Sequence, residues 1–378
     1  MAEFDVVVIG GGIAGVSAAA ELAATHRVLL LEREPHLAYH TTGRSAAIYS
    51  ETYGNRVIRS LSSASRSFFV HPPEGFSTNP LLVPRACLYI GRSDQLAAME
   101  REVEESQAAP CPLERIDAAE AYRLVPSLRP GYVAAAAIER DSADMDVHAI
   151  HYGFQRMALS RGVEIRRNAE VLHLEREGSR WRIQSGTAAN TAHDRADIVV
   201  NAAGAWADEV GRLAGARPLG ATPMRRTIII VAPPENGGSS AWPAVMDVGE
   251  EFYFKPEGSK LWISPADETP TPACDVQPDE MDIAVCVDRI ERALDFPITR
   301  IERSWAGLRT FCPDRTPAVG FDAQVPGFFW LAGQGGYGIQ TAPAMARVAA
   351  TLARGDALSP DLLEFGVDAR ALDPARFR

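Results

Sequence analysis

The stretch from Phe4 to Gly15, reading Phe-Asp-Val-Val-Val-Ile-Gly-Gly-Gly-Ile-Ala-Gly, constrains this chain more than any other. Val6, Val7, Val8 and Ile9 form an unbroken β-branched run, the pattern of a strand buried on both faces of a parallel sheet. Gly10, Gly12 and Gly15 follow with G-x-G-x-x-G spacing. In such a turn the first glycine makes the bend, the second lets backbone approach a pyrophosphate, and the third lets the next helix pack on the strand. Ala18 to Leu22 continue as helix and His26 to Leu31 as a second strand, with Glu32 at its end. That acid stands roughly twenty residues past the glycines, where a ribose hydroxyl needs an acceptor. A dinucleotide is the ligand this pattern implies. A ligand-free glycine turn and a solvated strand end are the alternatives.

Composition narrows the partners. With 378 residues and 46% hydrophobic content, the chain can build a full core and is expected to form two domains. A formal net charge of -11 argues against nucleic acid, whose phosphates reward basic surfaces, and favours a small-molecule ligand. The five cysteines at 87, 111, 274, 286 and 312 show no C-x-x-C spacing, so neither a zinc site nor a disulfide framework is expected, and the compartment is read as reducing and cytoplasmic. No basic n-region precedes the first strand, and no apolar run is long enough to span a bilayer, which leaves peripheral membrane contact open.

Along the chain, Tyr39 to Ala47 reads as a small, polar loop entering a helix. Ser45 there either donates to a planar ligand or belongs to an ordinary turn. Val57 to Phe69 has helical apolar spacing and stops at His71-Pro72-Pro73. Cys87 to Arg92 reads as a strand, and Gln95 to Ala108 and Ile116 to Leu124 as helices. Asp141, Asp144 and Asp146 lack the calcium-loop order, so capping of the helix bearing His148 and His151 is expected, with both histidines on its surface and no metal site. Val163 to Ile165, Val171 to Glu175 and Trp181 to Gln184 read as strands, expected to form a hairpin or short sheet with the turn Glu177-Gly178-Ser179. Ala196 to Asn201 is a second buried strand, and Ala203 and Gly204 after it permit close approach to a cofactor at its carboxyl end.

Met224 to Val231 is an apolar strand opening with Arg225 and Arg226, two charges that need partners. Phe252 to Phe254 and Leu261 to Ile263 make a hairpin about Pro-Glu-Gly-Ser, giving an antiparallel sheet separate from the parallel one. Asp279 to Ala293 is a packing helix. Phe328 to Ala332 is strand-like, and Gly333, Gly335, Gly336 and Gly338 precede a helix from about Ala342 to Ala353, building an anion-friendly N-terminus.

Taken in order, Gly10/Gly12/Gly15, Glu32, Thr42-Gly43-Arg44-Ser45, Asn201 to Trp206, Gly307-Leu308-Arg309 and the Gly333 to Gln340 loop resemble the D-amino-acid oxidase family of flavoenzymes over nearly the whole length. Within it the chain looks most like the bacterial FAD-dependent D-arginine dehydrogenases, through Tyr39 to Ala47, Asn201 to Trp206 and Gln334 to Thr341. The resemblance implies an α/β two-domain flavoprotein. Its Rossmann-like FAD-binding domain would comprise 1–85, 145–215 and 310–378, and an inserted antiparallel-sheet substrate domain would comprise 86–144 and 216–309. It implies noncovalent FAD, Cys312 not falling on the linking position of relatives that attach their flavin.

By carry-over from the family, the cofactor would be held by Gly10, Gly12, Ile13, Ala14, Gly15, Glu32, Arg33, Thr42, Gly43, Arg44, Ser45, Ala46, Val171, Ala203, Gly204, Trp206, Gly307, Gly333, Gly335, Gly336, Tyr337, Gly338, Ile339 and Gln340. Arg226 and Arg309 would clamp a substrate carboxylate, with Tyr53 and Tyr253 adding phenolic hydrogen bonds. Guanidinium forks match carboxylates bidentately, which gives that clamp its independent warrant. Ile48, Ser50, Cys87, Gly336 and Gln340 would line the substrate pocket.

The implied reaction is oxidative deamination of an amino acid. Hydride passes from Cα to flavin N5, and the imino acid hydrolyses to a 2-oxo acid and ammonia. Oxygen, a quinone or another acceptor would reoxidise the flavin. Where the D-arginine dehydrogenases carry an acid and a histidine, this chain has Cys87 and Ile48. The expectation is therefore a neutral or hydrophobic D-amino acid, with D-arginine a poor substrate. Oxidation of a secondary amine or N-methyl amino acid, and flavin binding without catalysis, are the competing readings.

Overall fold

The computed structural model describes residues 2–187, 190–234 and 239–377. The apolar run at the start forms β1 (Ala2–Ile9), which is hydrogen-bonded in parallel to β2 (Val28–Leu31) on one side and to the strand Asn190–Asn201 on the other. Val6, Val7 and Val8 have no exposed surface, as their uninterrupted hydrophobicity requires. α1 (Ile13–Leu22) connects β1 to β2 and packs between the helices Val147–Ser160 and Gly338–Ala353. The sheet continues outward from β2 to Glu164–Arg166, and from Asn190–Asn201 to the hairpin Arg180–Thr187/Glu170–Glu177. Gly178 turns that hairpin at φ 63°. Phe328–Ala332 adds in parallel beside Val199 to Asn201, with Ala318–Phe321 antiparallel outside it.

This topology makes the site. β1, Asn190–Asn201 and Phe328–Ala332 are parallel and in register, so the residues after them, at Gly10, Ala202 and Gly333, emerge along one edge. That carboxyl edge is where open α/β sheets bind ligands.

A second sheet runs Thr269–Pro270, Thr222–Val231, Lys260–Ser264, Tyr253–Glu257, Ala244–Asp247, Cys87–Gly91, Ala135–Glu139, Glu114–Ile116, with Ile301–Phe311 antiparallel along Thr222–Val231. It is antiparallel apart from the parallel pair Ala244–Asp247 and Cys87–Gly91. A small third sheet joins Ile48–Tyr49, Leu82–Pro84 and Ala143–Met145.

Two local expectations are corrected. The last long helix starts at Gly338 rather than near Ala342, because the glycine run continues into its first turn. His148 is exposed, but His151 is buried with Nε2 3.0 Å from the Gly11 carbonyl, since its helix packs against α1. Asp146 does cap that helix, accepting from the Ala149 N–H at 2.8 Å. Among the described residues there is no cluster of His, Cys, Asp and Glu able to hold a metal, and no helix is long and apolar enough to cross a membrane.

Candidate active site

One long cleft runs from Glu32 past the glycine turn and Trp206 to Arg226, Tyr253 and Arg309, where the second sheet covers the edge of the first. At its nucleotide end the three glycines are required for different reasons. A Cβ on Gly10, at φ 109°, would lie 2.4 Å from the Ala202 carbonyl oxygen, and one on Gly15 would lie 1.9 Å from that of Gly10. On Gly12 it would approach only Thr42 Oγ1, at 3.3 Å, which leaves the cleft side of that residue bare. The first turn of α1 holds no acid, and no side chain of the N-cap residue Gly12 closes it, while Thr42 Oγ1 accepts the Ile13 N–H at 3.0 Å. The positive end of the helix is therefore open to an anion. Glu32 is buried, and its carboxylate accepts the N–H groups of Gly11 at 2.7 Å and Glu34 at 2.8 Å. Those two bonds fix the carboxylate and leave lone pairs for ribose hydroxyls. The Trp206 ring packs tilted against His40, with centroids 4.6 Å apart, and the Arg33 guanidinium lies 4.9 Å from the centre of the Trp206 ring.

At the other end, strand alternation turns Arg226 and Ile228 toward the cleft and Arg225 away from it, where Arg225 pairs with Asp282 at 2.8 Å. Gly307 lies directly across from Arg226, and a Cβ there would meet only the Cβ of Arg44, at 3.5 Å. This bare surface suits a flat ring. Arg309 lies two residues on. Its Nη1 donates to the Tyr53 hydroxyl at 3.3 Å, and a Cβ on Gly336 would sit 2.9 Å from the same nitrogen, so the glycine makes room for the guanidinium. Burial works to strip the charge from Arg309, but the phenols of Tyr53, Tyr253 and Tyr337 outweigh it and hold the group above the usual arginine range. No carboxylate among the described residues lies within ion-pair distance of it.

Arg226 is different. It is 8% exposed, its Nε donates to the Asp267 carbonyl at 2.9 Å, and its Nη2 pairs with Glu268 at 3.0 Å. The sequence pair Arg225-Arg226 required acids, and the structure supplies Asp282 and Glu268. Neither acid carried a motif. The need for partners beside an apolar strand was the only signal available.

Of the residues expected to contact the cofactor, the structure brings nineteen to the cleft wall: Gly10, Gly12, Ile13, Ala14, Glu32, Arg33, Thr42, Arg44, Ser45, Ala46, Val171, Ala203, Gly204, Trp206, Gly307, Gly335, Gly336, Gly338 and Ile339. Gly15, Gly43, Gly333, Tyr337 and Gln340 lie behind it. Gly43 packs on the Ala38 carbonyl and Gly333 on Cys312 Sγ, so both glycines serve packing between protein segments. Tyr337 packs edge-on to Tyr53. Gln340 is buried and ties Ser50 and Ser62 together, with Nε2 donating to Ser62 Oγ at 2.7 Å.

The expected substrate pocket is redrawn. Tyr253 and Gly336 join Arg226 and Arg309 at the cleft wall, and Tyr53 reaches it through Arg309. Cys87, Ile48 and Ser50 do not line it. Alternation along Cys87–Gly91 points Cys87 with Tyr89 into a small core with Met99 and Val103, against which Ile48 packs. Burial raises the Cys87 thiol well above its usual range, as for an inert core cysteine. Ser50 Oγ donates to Glu139 at 2.6 Å. Glu139, which sequence reasoning passed over, is buried and also accepts the Glu51 N–H at 2.8 Å and the Thr52 hydroxyl at 3.0 Å.

Comparison with known proteins then decides the family. The profile described as FAD dependent oxidoreductase, DAO, matches residues 5–352. The chain belongs to that family. It is 27% identical to glycine oxidase of Pseudomonas aeruginosa over 93% of this chain and 94% of that one. It is 26% identical to mitochondrial sarcosine dehydrogenase of Mus musculus over 86% of this chain, although it spans only 37% of that longer protein. The fold superposes on glycine oxidase from Geobacillus kaustophilus with a TM-score of 0.82, at 21% identity, covering 97% of this chain and 99% of the other. The protein is thus an FAD-dependent oxidoreductase with the mixed α/β flavoprotein fold of its family. The cleft fits FAD on its own terms, with a fixed ribose acceptor, an open helix N-terminus and backbone left bare at Gly12 and Gly307.

Proposed function

We propose that this protein oxidises the amine-bearing carbon of a monocarboxylate amino acid, with a neutral or hydrophobic D-amino acid as the preferred class. The observation that carries the reading is Arg309, a guanidinium in the cleft with three phenols around it and no acid paired to it. A charge so placed calls for an anionic ligand, and a planar fork favours a carboxylate. When bound, FAD supplies a two-electron acceptor for the substrate Cα–H.

The chain's own residues do the rest. Gly12, the α1 N-terminus and Glu32 would hold the dinucleotide. Arg309 would bind the substrate carboxylate, and the Tyr53 hydroxyl, already on Nη1, fixes the fork's direction. Tyr253 and Ile228 line the cleft around the proposed substrate position. No side chain at this end is placed as a strong base, so the substrate amine enters by shedding its proton to solvent, and positioning supplies the catalysis. Of the two acids beside Arg226, Glu268 is engaged by two arginines and the Asp267 carboxylate accepts the Thr227 N–H and hydroxyl, so neither is available to a cationic side chain. This supports poor use of D-arginine, through the engagement of Glu268 and not through Cys87, which lies in the core.

The secondary-amine reading keeps the same anchor, and a sarcosine dehydrogenase among the relatives favours it. Anaerobic mixing with a panel of amino acids, both enantiomers and their N-methyl forms, tests these readings. Bleaching of the flavin by D-leucine or D-phenylalanine ahead of D-arginine, the L-forms and N-methyl glycine is expected. Preferential bleaching by N-methyl glycine establishes the second reading, and bleaching by none of them overturns both.

A further inference from the structure

Arg226 and Arg309 both reach the substrate end of the cleft, yet only one of them offers a free charge. Glu268 Oε1 pairs with Arg226 at 3.0 Å, and Arg315 grips both carboxylate oxygens, each at 2.9 Å. Its carboxylate is held in place by both arginines. The loops that deliver the two outer partners each pass through a left-handed non-glycine residue, Ala266 at φ 53° and Arg315 at φ 58°. An L-residue adopts that conformation only against a steric cost, so the surrounding contacts must over-determine it. The Arg315 guanidinium carbon also lies over the Phe311 ring, 4.0 Å from its centre. Arg315 is 44% exposed and solvent screens its charge, whereas Arg226 is nearly buried, so it is the Arg226–Glu268 pair that sets the charge felt inside the cleft.

Building on the amino-acid reading above, we infer that Glu268 is a specificity-determining residue that neutralises Arg226, limiting the cleft to one free positive charge and its substrates to monocarboxylates. Burial pushes the Glu268 carboxyl up, but Arg315, Arg226 and Arg309 together hold it below the ordinary range, so the neutralisation persists across working pH. A dicarboxylate substrate has no second cation to meet. Its extra carboxylate would be desolvated beside an arginine whose fork is already occupied.

The test compares wild-type holoenzyme with Glu268→Gln by titrating acetate and malonate against the flavin absorbance, and by comparing D-glutamate with D-leucine in steady-state turnover. Freeing Arg226 is expected to raise the malonate-to-acetate affinity ratio about tenfold, with a matching gain for D-glutamate. Adding Arg226→Gln to that variant is expected to abolish the gain. Should Glu268→Gln not fold, the double variant Arg226→Gln/Arg315→Gln carries the test, because it removes both cations paired with Glu268 and leaves that carboxylate free, and it is expected to raise D-lysine turnover relative to D-leucine severalfold. An unchanged malonate-to-acetate ratio, or an unchanged D-lysine preference, overturns the inference. So does failure of either anion to perturb the flavin, which would remove the anion site itself. The anion titration needs no turnover. A shifted ratio without flavin reduction by any amino acid would therefore uphold the charge assignment while overturning the proposed reaction.

Discussion

In the proposed reaction, Arg309 is the side chain that anchors the substrate. Replacing it by methionine removes a charge-assisted contact worth about 3 kcal/mol or more, so kcat/KM should fall roughly a hundredfold or more, with Arg309→Lys in between. Tyr53→Phe loses only the hydroxyl that steers the guanidinium, and a loss of about tenfold is expected, expressed mainly in KM. An Arg309→Met enzyme with unaltered kcat/KM would place the carboxylate elsewhere. Arg309 is held charged and burial keeps the Tyr337 phenol neutral, so neither titrates through neutral pH. Affinity for acetate, which has no amine, should be flat from about pH 6 to about 9, while turnover of an amino acid should rise with pH as its ammonium deprotonates. A break in the acetate profile inside that window would reveal a titrating protein group at the anchor. At this scale the sequence was legible where a residue type has one good use, as with Arg309, Glu32 and the glycines. It was opaque at Cys87, because nothing local says which face of a buried strand a small apolar residue takes. Glu268 and Glu139 were equally hidden, for their partners lie far away in the chain.

Among the elements, the loop Ser50 to Tyr53 has the most to explain, since it carries a phenol to the anchor yet belongs to no regular structure. Glu139, at the end of its strand in the second sheet, collects Ser50 Oγ, the Glu51 N–H and the Thr52 hydroxyl on one carboxylate. Glu51 in turn accepts from Tyr49, Ser63 and Arg66. Glu139→Ala removes the shared acceptor of three buried donors, of which only the Ser50 and Thr52 hydroxyls can turn to each other, and should destabilise by about 3 kcal/mol, read as a lowered thermal midpoint. The milder Glu139→Gln should couple non-additively with Tyr53→Phe in kcat/KM if the loop transmits its effect through that phenol. Strict additivity would confine Glu139 to stability. Element types were largely readable in the chain, because the apolar run of β1, the hairpin about Gly178 and the helix Arg56–Val70 each carry a strong period or turn signal. Ile301–Phe311 was not, since its residues facing the cleft include Gly307 and Arg309, which carry little strand propensity.

The whole molecule is organised by one geometric fact: three parallel strands end along a common edge, and a second sheet stands over it. FAD lying along that cleft would bind the folded chain only. Saturation at about a hundred times Kd should therefore add about 2.7 kcal/mol of stability and make the thermal midpoint depend on FAD concentration. Cys312 is buried behind Gly333, its thiol pushed up to about 12, so no covalent link is expected and acid precipitation should release the yellow colour. The central claim is that a carboxylate held by Arg309 brings the substrate to FAD, and stopped-flow flavin reduction under nitrogen tests it most directly. Wild-type enzyme mixed with D-leucine should bleach with a rate that saturates in substrate, while FAD-loaded Arg309→Met should bleach at least a hundredfold more slowly at the same low concentration. Equal rates in the two enzymes would contradict the account.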